Sequence, residues 1–261
     1  MNDIFQPPAY NDTPLNQPPT DGRIQTPQMG AQQLTQIGAN AAKNGLVDVA
    51  RVAFTRAVRE ERRGDTLANL ANALRQLWRF DEANKIIDEA LQFAPQDGRV
   101  WGIKGVTMLD QNRSADAIAA FQNSLMWGGA APFTKFGLAE AQLHAGDFDR
   151  GLRGYESRFE INQPRLHSIP RWQGEPLGER VLLVEAEQGF GDSFMFSRFL
   201  SRIPGDYTFS VQSQAMSLFG VNAKRLGEAV RADYWSPLMS LPLIVGTDIS
   251  EARVFRPNRI L

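Results

Sequence analysis

The sequence predicts a fold in two parts, an α-helical solenoid followed by a small α/β domain. One observation behind this prediction is a repeat with a period of 33 to 34 residues that starts at residue 31. Another is the change of pattern near Pro170, where short apolar runs and a glycine-containing turn replace the helical period. We therefore expect an arm over residues 1–30, four repeats over 31–165 and an α/β part over 166–261.

Each repeat has the pattern of two helices joined by a short turn. Small residues recur at one position of the first helix and predict close packing of the two helices. They are Gly38, Ala71, Gly105 and Ala139. The copies begin at Ala31, Gly64, Gly98 and Pro132. The second copy is the most regular and carries, in order, Leu67, Leu70, Ala71, Leu74, Phe80, Ala83, Ile87, Ala90 and Pro95.

This order of large, small and aromatic residues resembles the tetratricopeptide repeat (TPR). The resemblance implies a solenoid of stacked pairs, because one helix pair alone cannot bury its apolar face. It also implies that the first helices line a concave groove that binds a protein or peptide partner.

Three polar residues of the second repeat are our candidates for that groove. Asn69, Asn72 and Arg75 are spaced by three and share one face of the first helix. Amide and guanidinium groups suit a peptide backbone or its terminal carboxylate. A solvated helix face is the alternative interpretation of the same residues.

The α/β part begins with one β-α-β unit. The run 181–187 is a short apolar strand, residues 193–200 have a helical pattern and 207–212 is a second strand. This order predicts a parallel sheet flanked by helices, in a small and partial Rossmann-like domain. Trp172, just before the first strand, is predicted to pin the repeats onto this domain.

The turn between the first strand and its helix is a candidate ligand site. A strand that runs into a glycine turn and a helix directs backbone N–H groups at whatever lies above the sheet. Gln188, Gly189 and Gly191 are the candidate ligand-binding residues of this turn. The alternative is structural, with the glycines making a tight turn and Asp192 capping the helix.

Three segments of the α/β part carry a second resemblance. They are 171–177, 185–192 and 236–242. Together they resemble the C-terminal part of bacterial repeat proteins with a glycosyltransferase-like domain of the GT-B type, related to heptosyltransferases and the O-linked N-acetylglucosamine transferase group. The resemblance implies that Asp192, if the domain is active, is the catalytic base that takes the proton of an acceptor hydroxyl.

The same resemblance implies a truncated domain. The sequence given stops at Leu261, where a full-length relative continues into the half that binds the nucleotide-sugar donor. We therefore expect an inactive half-domain without a cofactor, and a nucleotide-sugar donor only if the domain is active.

Composition narrows the class of function further. The 28 Lys and Arg nearly balance the 29 Asp and Glu, so the charge does not favour nucleic-acid binding. There is no cysteine, and His144 and His167 lie far apart, so we expect no metal site. The N-terminal residues lack a signal-peptide pattern and no long apolar stretch occurs, which predicts a cytoplasmic protein without membrane contact.

Six of the 15 prolines lie in residues 1–30, which favours an extended arm. This arm is either a disordered leader or a segment that binds a neighbouring molecule.

For the whole chain we favour a TPR scaffold for protein interactions with an inactive half-domain, and whether it is an enzyme stays open. The alternatives are a glycosyltransferase, possibly completed by a partner chain, and a structural component of a large particle.

Overall fold

A computed structural model describes residues 29–165, 167–219 and 222–246. The predicted arm lies outside the described residues except for Met29 and Gly30, and so does the end of the predicted α/β part from residue 247. No helix among the described residues is both long and apolar enough to cross a membrane.

The repeats form four helix pairs, which begin within one residue of the predicted repeat starts. The first helix of each pair is α1 (Ala31–Lys43), α3 (Gly64–Gln76), α5 (Gly98–Asp110) or α7 (Ala131–His144). The second is α2 (Val47–Glu60), α4 (Phe80–Phe93), α6 (Ser114–Met126) or α8 (Phe148–Tyr155). A short helix, α9 (Arg158–Ile161), follows the last pair.

Aromatic rings pack directly on the small residues of the first helices. A Cβ added at Gly38 would lie 2.5 Å from the Phe54 ring, and one added at Gly105 would lie 2.7 Å from the Phe121 ring. Phe121 also meets Gly137 of the next pair, where an added Cβ would lie 2.5 Å away. Glycine is therefore required at these positions, and the predicted close approach of the paired helices is confirmed.

The first helices of successive pairs lie side by side, since α1 contacts α3, α3 contacts α5 and α5 contacts α7. The second helices α2, α4 and α6 each pack against their own partner and against the first helix of the next pair. This arrangement is a TPR-like solenoid in which the first helices form one layer and the second helices form the other.

The turn inside each pair uses one residue in the left-handed region. These residues are Gly45, Trp78, Asn112 and Gly146, with φ of 75°, 59°, 58° and 82°. Glycine adopts this conformation without cost, and asparagine adopts it more readily than most residues. Trp78 is a bulky residue that rarely adopts a positive φ, but its backbone has the same conformation as that of the other three residues.

The α/β part contains a parallel sheet of four short strands in the order β3-β2-β1-β4. The strands are β1 (Leu182–Glu185), β2 (Tyr207–Val211), β3 (Ala223–Arg225) and β4 (Tyr234–Pro237). Helix α10 (Phe190–Ser197) connects β1 to β2, and the short helices α11 (Met216–Phe219) and α12 (Leu241–Val245) complete the domain. The predicted β-α-β unit is present, although α10 begins three residues earlier than expected, because Gly189 is its N-cap.

A separate apolar core lies beneath this sheet. Trp172 is 1% exposed and packs with Leu182, Val184, Phe209 and Leu238. The predicted role of Trp172 as a pin between the two parts is therefore wrong, because its ring fills the α/β core. Its indole nitrogen donates a hydrogen bond to the Glu175 carbonyl at 2.8 Å.

Candidate functional site

The layer of first helices contains an apolar recess of about 170 Å³ between α3, α5 and α7. Gly102, Ile103 and Val106 of α5 line it, and Phe133 at the start of α7 is 65% exposed. Asn72 and Arg99 are polar members of the same lining. No described residue forms an ion pair with Arg99. The recess can therefore take an apolar side chain with a polar or acidic group beside it.

The three predicted groove residues differ in their surroundings. Asn72 lines the recess, and its Oδ1 accepts a hydrogen bond from Arg75 Nε at 3.2 Å. Arg75 also forms an ion pair with Asp110 of α5 at 2.7 Å. A ligand carboxylate would therefore compete with Asp110 for the Arg75 guanidinium. Asn69 is half-buried and does not line the recess.

The predicted ligand loop lies at the carboxyl end of β1. Gln188 is exposed, and its carbonyl accepts a hydrogen bond from Gln212 after β2. Ser193 Oγ donates to the Gly189 carbonyl at 3.1 Å. Asp192 is half-buried in the first turn of α10. The four predicted residues thus lie together in the loop after β1 and the first turn of α10, apart from the recess of the solenoid.

Neither Gly189 nor Gly191 is required for steric reasons. A Cβ added at Gly191 would meet nothing within 4 Å, and one added at Gly189 would meet only Asp192 Oδ2 at 3.9 Å. Neither residue has a positive φ. The tight-turn interpretation therefore has no steric basis here, and the loop leaves open space above α10.

The strand order reverses between β1 and β4, and a cavity of about 360 Å³ lies at the carboxyl ends of these two strands. Ligands of open α/β sheets bind in the crevice at such a reversal point. Glu185, Gln188, Trp235 and Arg165 are among the lining residues. The loop predicted from the sequence thus borders this crevice through Gln188.

A buried carboxylate and a histidine meet at the crevice. Glu185 is 7% exposed at the end of β1, and its Oε2 lies 2.7 Å from His167 Nε2. The His167 ring stacks on Trp235 of β4 with centroids 4.4 Å apart. Arg165 approaches Glu185 Oε1 at 3.6 Å. Glu185 and Arg165 thus line the cavity, and His167 contacts the Glu185 carboxylate without lining the cavity itself.

Arg158 of α9 connects the solenoid to this edge of the sheet. Its side chain is 7% exposed and donates to Glu187, two residues after β1, with Nη2 at 2.9 Å from Oε1. It also donates to Glu156 Oε1 at 2.8 Å and to Ser240 Oγ at 2.8 Å. Arg171 donates to the same hydroxyl at 2.8 Å. These side chains form the Arg158 network, which covers part of the strand ends.

The two carboxylates of the network have opposite pKa shifts. Burial opposes ionisation of Glu156, but hydrogen bonds from Arg158, Ser240 and Arg171 outweigh it and lower the pKa. Burial raises the pKa of Glu187, and the contact with Arg158 offsets only part of this effect. Burial also raises the pKa of Tyr155, whose phenol has Gln188 as a hydrogen-bonding partner. The end of the solenoid therefore borders the predicted ligand loop directly.

The sequence pattern does not single out Arg158, Glu185 or Glu187 as site residues. His167 has the pattern of a structural connector residue, but it faces Glu185. The available signal is weak: two carboxylates follow the apolar strand at 185 and 187, in the alternation that puts them on one side of the chain. Their partners come from α9 and from the connector, which periodicity does not predict.

No protein-family model matches the chain. Protein FlbA of Caulobacter vibrioides is 28% identical over a match that covers 52% of this chain and 30% of that protein. The chain therefore spans less than a third of the length of this curated relative.

Three solved structures are similar to about half of the chain. The MamA 41-end structure from Desulfovibrio magneticus RS-1 matches with a TM-score of 0.44 and 16% identity, covering 51% of this chain and 75% of that one. The APC/C hetero-tetramer Cut9-Hcn1 matches with a TM-score of 0.49 and 18% identity, covering 52% of this chain and 28% of that one. The Arabidopsis OM64 TPR domain matches with a TM-score of 0.41 and 18% identity, covering 44% of this chain and 95% of that one.

Proposed function

We propose that this protein is an interaction scaffold that binds a peptide segment of a partner protein in the recess between α3, α5 and α7. The observation that carries the proposal is the exposed Phe133 ring beside the open recess, on the layer of first helices. Large apolar side chains that a monomer leaves exposed beside a pocket are typical of binding surfaces.

The lining also indicates the chemistry of the peptide. An apolar side chain fills the recess between Val106 and Phe133. The Asn72 amide bonds the peptide backbone, and Arg99 pairs with an acidic side chain or the terminal carboxylate. Arg75 contributes less to peptide binding than its residue type predicts, because its guanidinium already forms an ion pair with Asp110.

In this proposal the α/β part is a rigid platform at the end of the solenoid, and its glycosyltransferase-like character is not used for catalysis. The Arg158 network supports this role, because a buried, multiply bonded arginine resists movement between the parts it joins. We propose the cytoplasm as the location of the scaffold, with a larger assembly as the alternative.

Selection of peptides from a displayed random library against the full chain tests the scaffold function. Enriched peptides should combine an apolar anchor with a nearby acidic group. Their affinity, measured by fluorescence anisotropy, should fall about ten-fold or more in Phe133→Ser and Arg99→Ser. Lys104→Ser is the matched control, since Lys104 lies on the same α5 helix but pairs with Asp88 of α4. Peptides that bind all four proteins equally would contradict the proposal.

The crevice between β1 and β4 supports a second candidate function, a glycosyltransferase or a binding site for a sugar nucleotide. The specific observation in its favour is the open space at Gly189 and Gly191 beside a cavity with buried Glu185. Asp192 would be the base in this case.

Calorimetric titration of the full chain with UDP-, GDP- and ADP-sugars separates the two functions. The scaffold proposal predicts no saturable binding at millimolar ligand. Saturable binding that weakens in Asp192→Ala and Glu185→Gln would instead favour the second candidate. Such a ligand should also raise the stability of the native state.

A further inference from the structure

The first helix pair carries exposed apolar side chains where the other pairs carry charges. Leu46, Val49 and Val52 are spaced by three on one face of α2 and are 56%, 50% and 47% exposed. Ile37 of α1 is 41% exposed. We name these four residues the N-terminal apolar stripe.

The positions aligned with Leu46 and Val49 in the other pairs show that the fold does not demand apolar residues there. In the second pair Arg79 and Glu82 form an ion pair at 2.6 Å, and in the third Arg113 and Asp116 form one at 2.7 Å. In the fourth pair Asp147 pairs with Arg150. These positions normally face water, so the stripe differs from its equivalents in chemistry and not in backbone structure.

In the third pair, the same surface lies against the preceding pair. Lys104, Arg113 and Asp116 line a groove together with Asn84 and Asp88 of α4. The corresponding surface of the first pair faces away from the rest of the solenoid. Of the described residues, only Met29 and Gly30 precede α1. The chain that precedes them, residues 1–28, is joined to the start of α1, the helix that carries Ile37.

We infer that residues 1–28 of the same chain bind along the N-terminal apolar stripe. The segment supplies apolar side chains for it, namely Ile4, Phe5, Tyr10, Leu15 and Ile24. Its 28 residues can span far more than the roughly 21 Å length of α2. A tether this short gives a millimolar effective concentration, so a modest apolar contact is enough for binding.

Charge favours the same occupant over a second copy of the stripe. Residues 1–28 carry Asp3, Asp12 and Asp21 against a single basic side chain, Arg23. Arg56 and Arg59 lie on the stripe side of α2, and no described residue forms an ion pair with either. An acidic segment complements these arginines, whereas two copies of the stripe would bring like charges together.

The absence of cysteine from the chain allows a clean test by disulfide formation in the full-length protein. Val49→Cys is combined with Phe5→Cys, Tyr10→Cys or Leu15→Cys, and each pair is oxidised at low protein concentration. The matched controls combine the same segment substitutions with Glu82→Cys, the aligned position of the second pair. Non-reducing electrophoresis and mass spectrometry then identify the products.

We expect at least one Val49→Cys pair to form an intramolecular disulfide several-fold faster than its Glu82→Cys control. Equal rates in both series would overturn the inference. Disulfide-linked dimers would also overturn it. A link between position 49 of one chain and position 49 of another would indicate a second copy on the stripe. A link from position 49 to the segment of another chain would indicate that the segment binds a neighbouring molecule.

Discussion

The buried side chain of Arg158 forms an ion pair with the partly buried Glu187, which joins the last helix of the solenoid to the strand ends of the α/β domain. Arg158 Nε and Nη2 both donate to Glu187 Oε1, at 3.2 Å and 2.9 Å, and Glu187 Oε2 also accepts from the Met239 amide at 3.1 Å. The pair therefore ties α9 to the segments that follow both β1 and β4. It acts together with the Arg171 and Ser240 contacts of the Arg158 network at the same junction.

Replacement of Arg158 should destabilise the protein strongly. In Arg158→Ala the Glu187 carboxylate keeps its burial and loses its cation, a change that typically costs about 3–5 kcal/mol. Urea unfolding followed by circular dichroism measures this loss. Arg150→Ala is the control, because Arg150 pairs with Asp147 in an exposed position, where a pair is worth at most about 1 kcal/mol. Equal losses in the two variants would show that Arg158 does not hold the junction.

The stacking of the third and fourth pairs depends on Gly137. In Gly137→Ala the new methyl group would meet the Phe121 ring, and overpacking of this kind costs about 1–3 kcal/mol of unfolding free energy. Gly191→Ala is the control, since its methyl group meets nothing, and alanine is better by about 0.5–1 kcal/mol inside a helix. Thermal unfolding should show a lower midpoint for the first variant and an unchanged or higher midpoint for the second.

Substitution of Gly146, the turn residue of the fourth pair, measures the cost of the left-handed backbone conformation without a steric clash. An added Cβ at Gly146 meets no atom within 4 Å, so Gly146→Ala changes only the backbone preference at a φ of 82°. An L-residue in this region costs roughly 1–2 kcal/mol, and we expect a destabilisation of that size in urea. A stability equal to that of the parent would show that the turn relaxes to another conformation.

The Glu140 carboxyl of α7 should stabilise the folded protein more at acidic pH than at neutral pH. Burial raises its pKa, and the charge of Asp110 acts in the same direction against a smaller opposing effect of His144. Folding therefore favours the protonated form, whose stabilising contribution is complete below the unfolded pKa and is lost as pH rises through the folded pKa. Glu140→Gln should accordingly be more stable than the parent at pH 7.

The urea midpoints of parent and Glu140→Gln, compared from pH 3.5 to 7, measure this effect. The difference between the two proteins should grow with pH over the range between the unfolded and the folded pKa and then level off. Glu60→Gln, at the exposed end of α2, is the control for the loss of one surface carboxylate. A difference that is constant across the range would contradict the burial of the Glu140 carboxyl.

The helical part could be predicted because its determinants are local and repeated. Residues such as Gly105 and Phe121 recur at fixed spacing, and each helix pair is specified by its own segment. Local pattern also predicts β1 and the helix after it, although the exact start of α10 depends on Gly189 as its cap.

The junction could not be predicted, because its partners lie far apart in the chain. Arg158 bonds Ser240, which is 82 residues away, and Glu187, which is 29 residues away. The three-residue strand β3 and its parallel pairing with β2 also depend on the fold of the whole domain. Buried polar contacts of this kind leave no periodic signal, and in the sequence His167 looks like any connector residue.

Amide hydrogen exchange of the full chain, with and without a selected peptide, tests the scaffold function most directly. Our account predicts slower exchange in α3, α5 and α7 when the peptide is present, with no change in the loop 188–192. Protection confined to residues 185–192 and 237–240, with these three helices unchanged, would contradict it and would move the working surface of the protein to the crevice of the sheet.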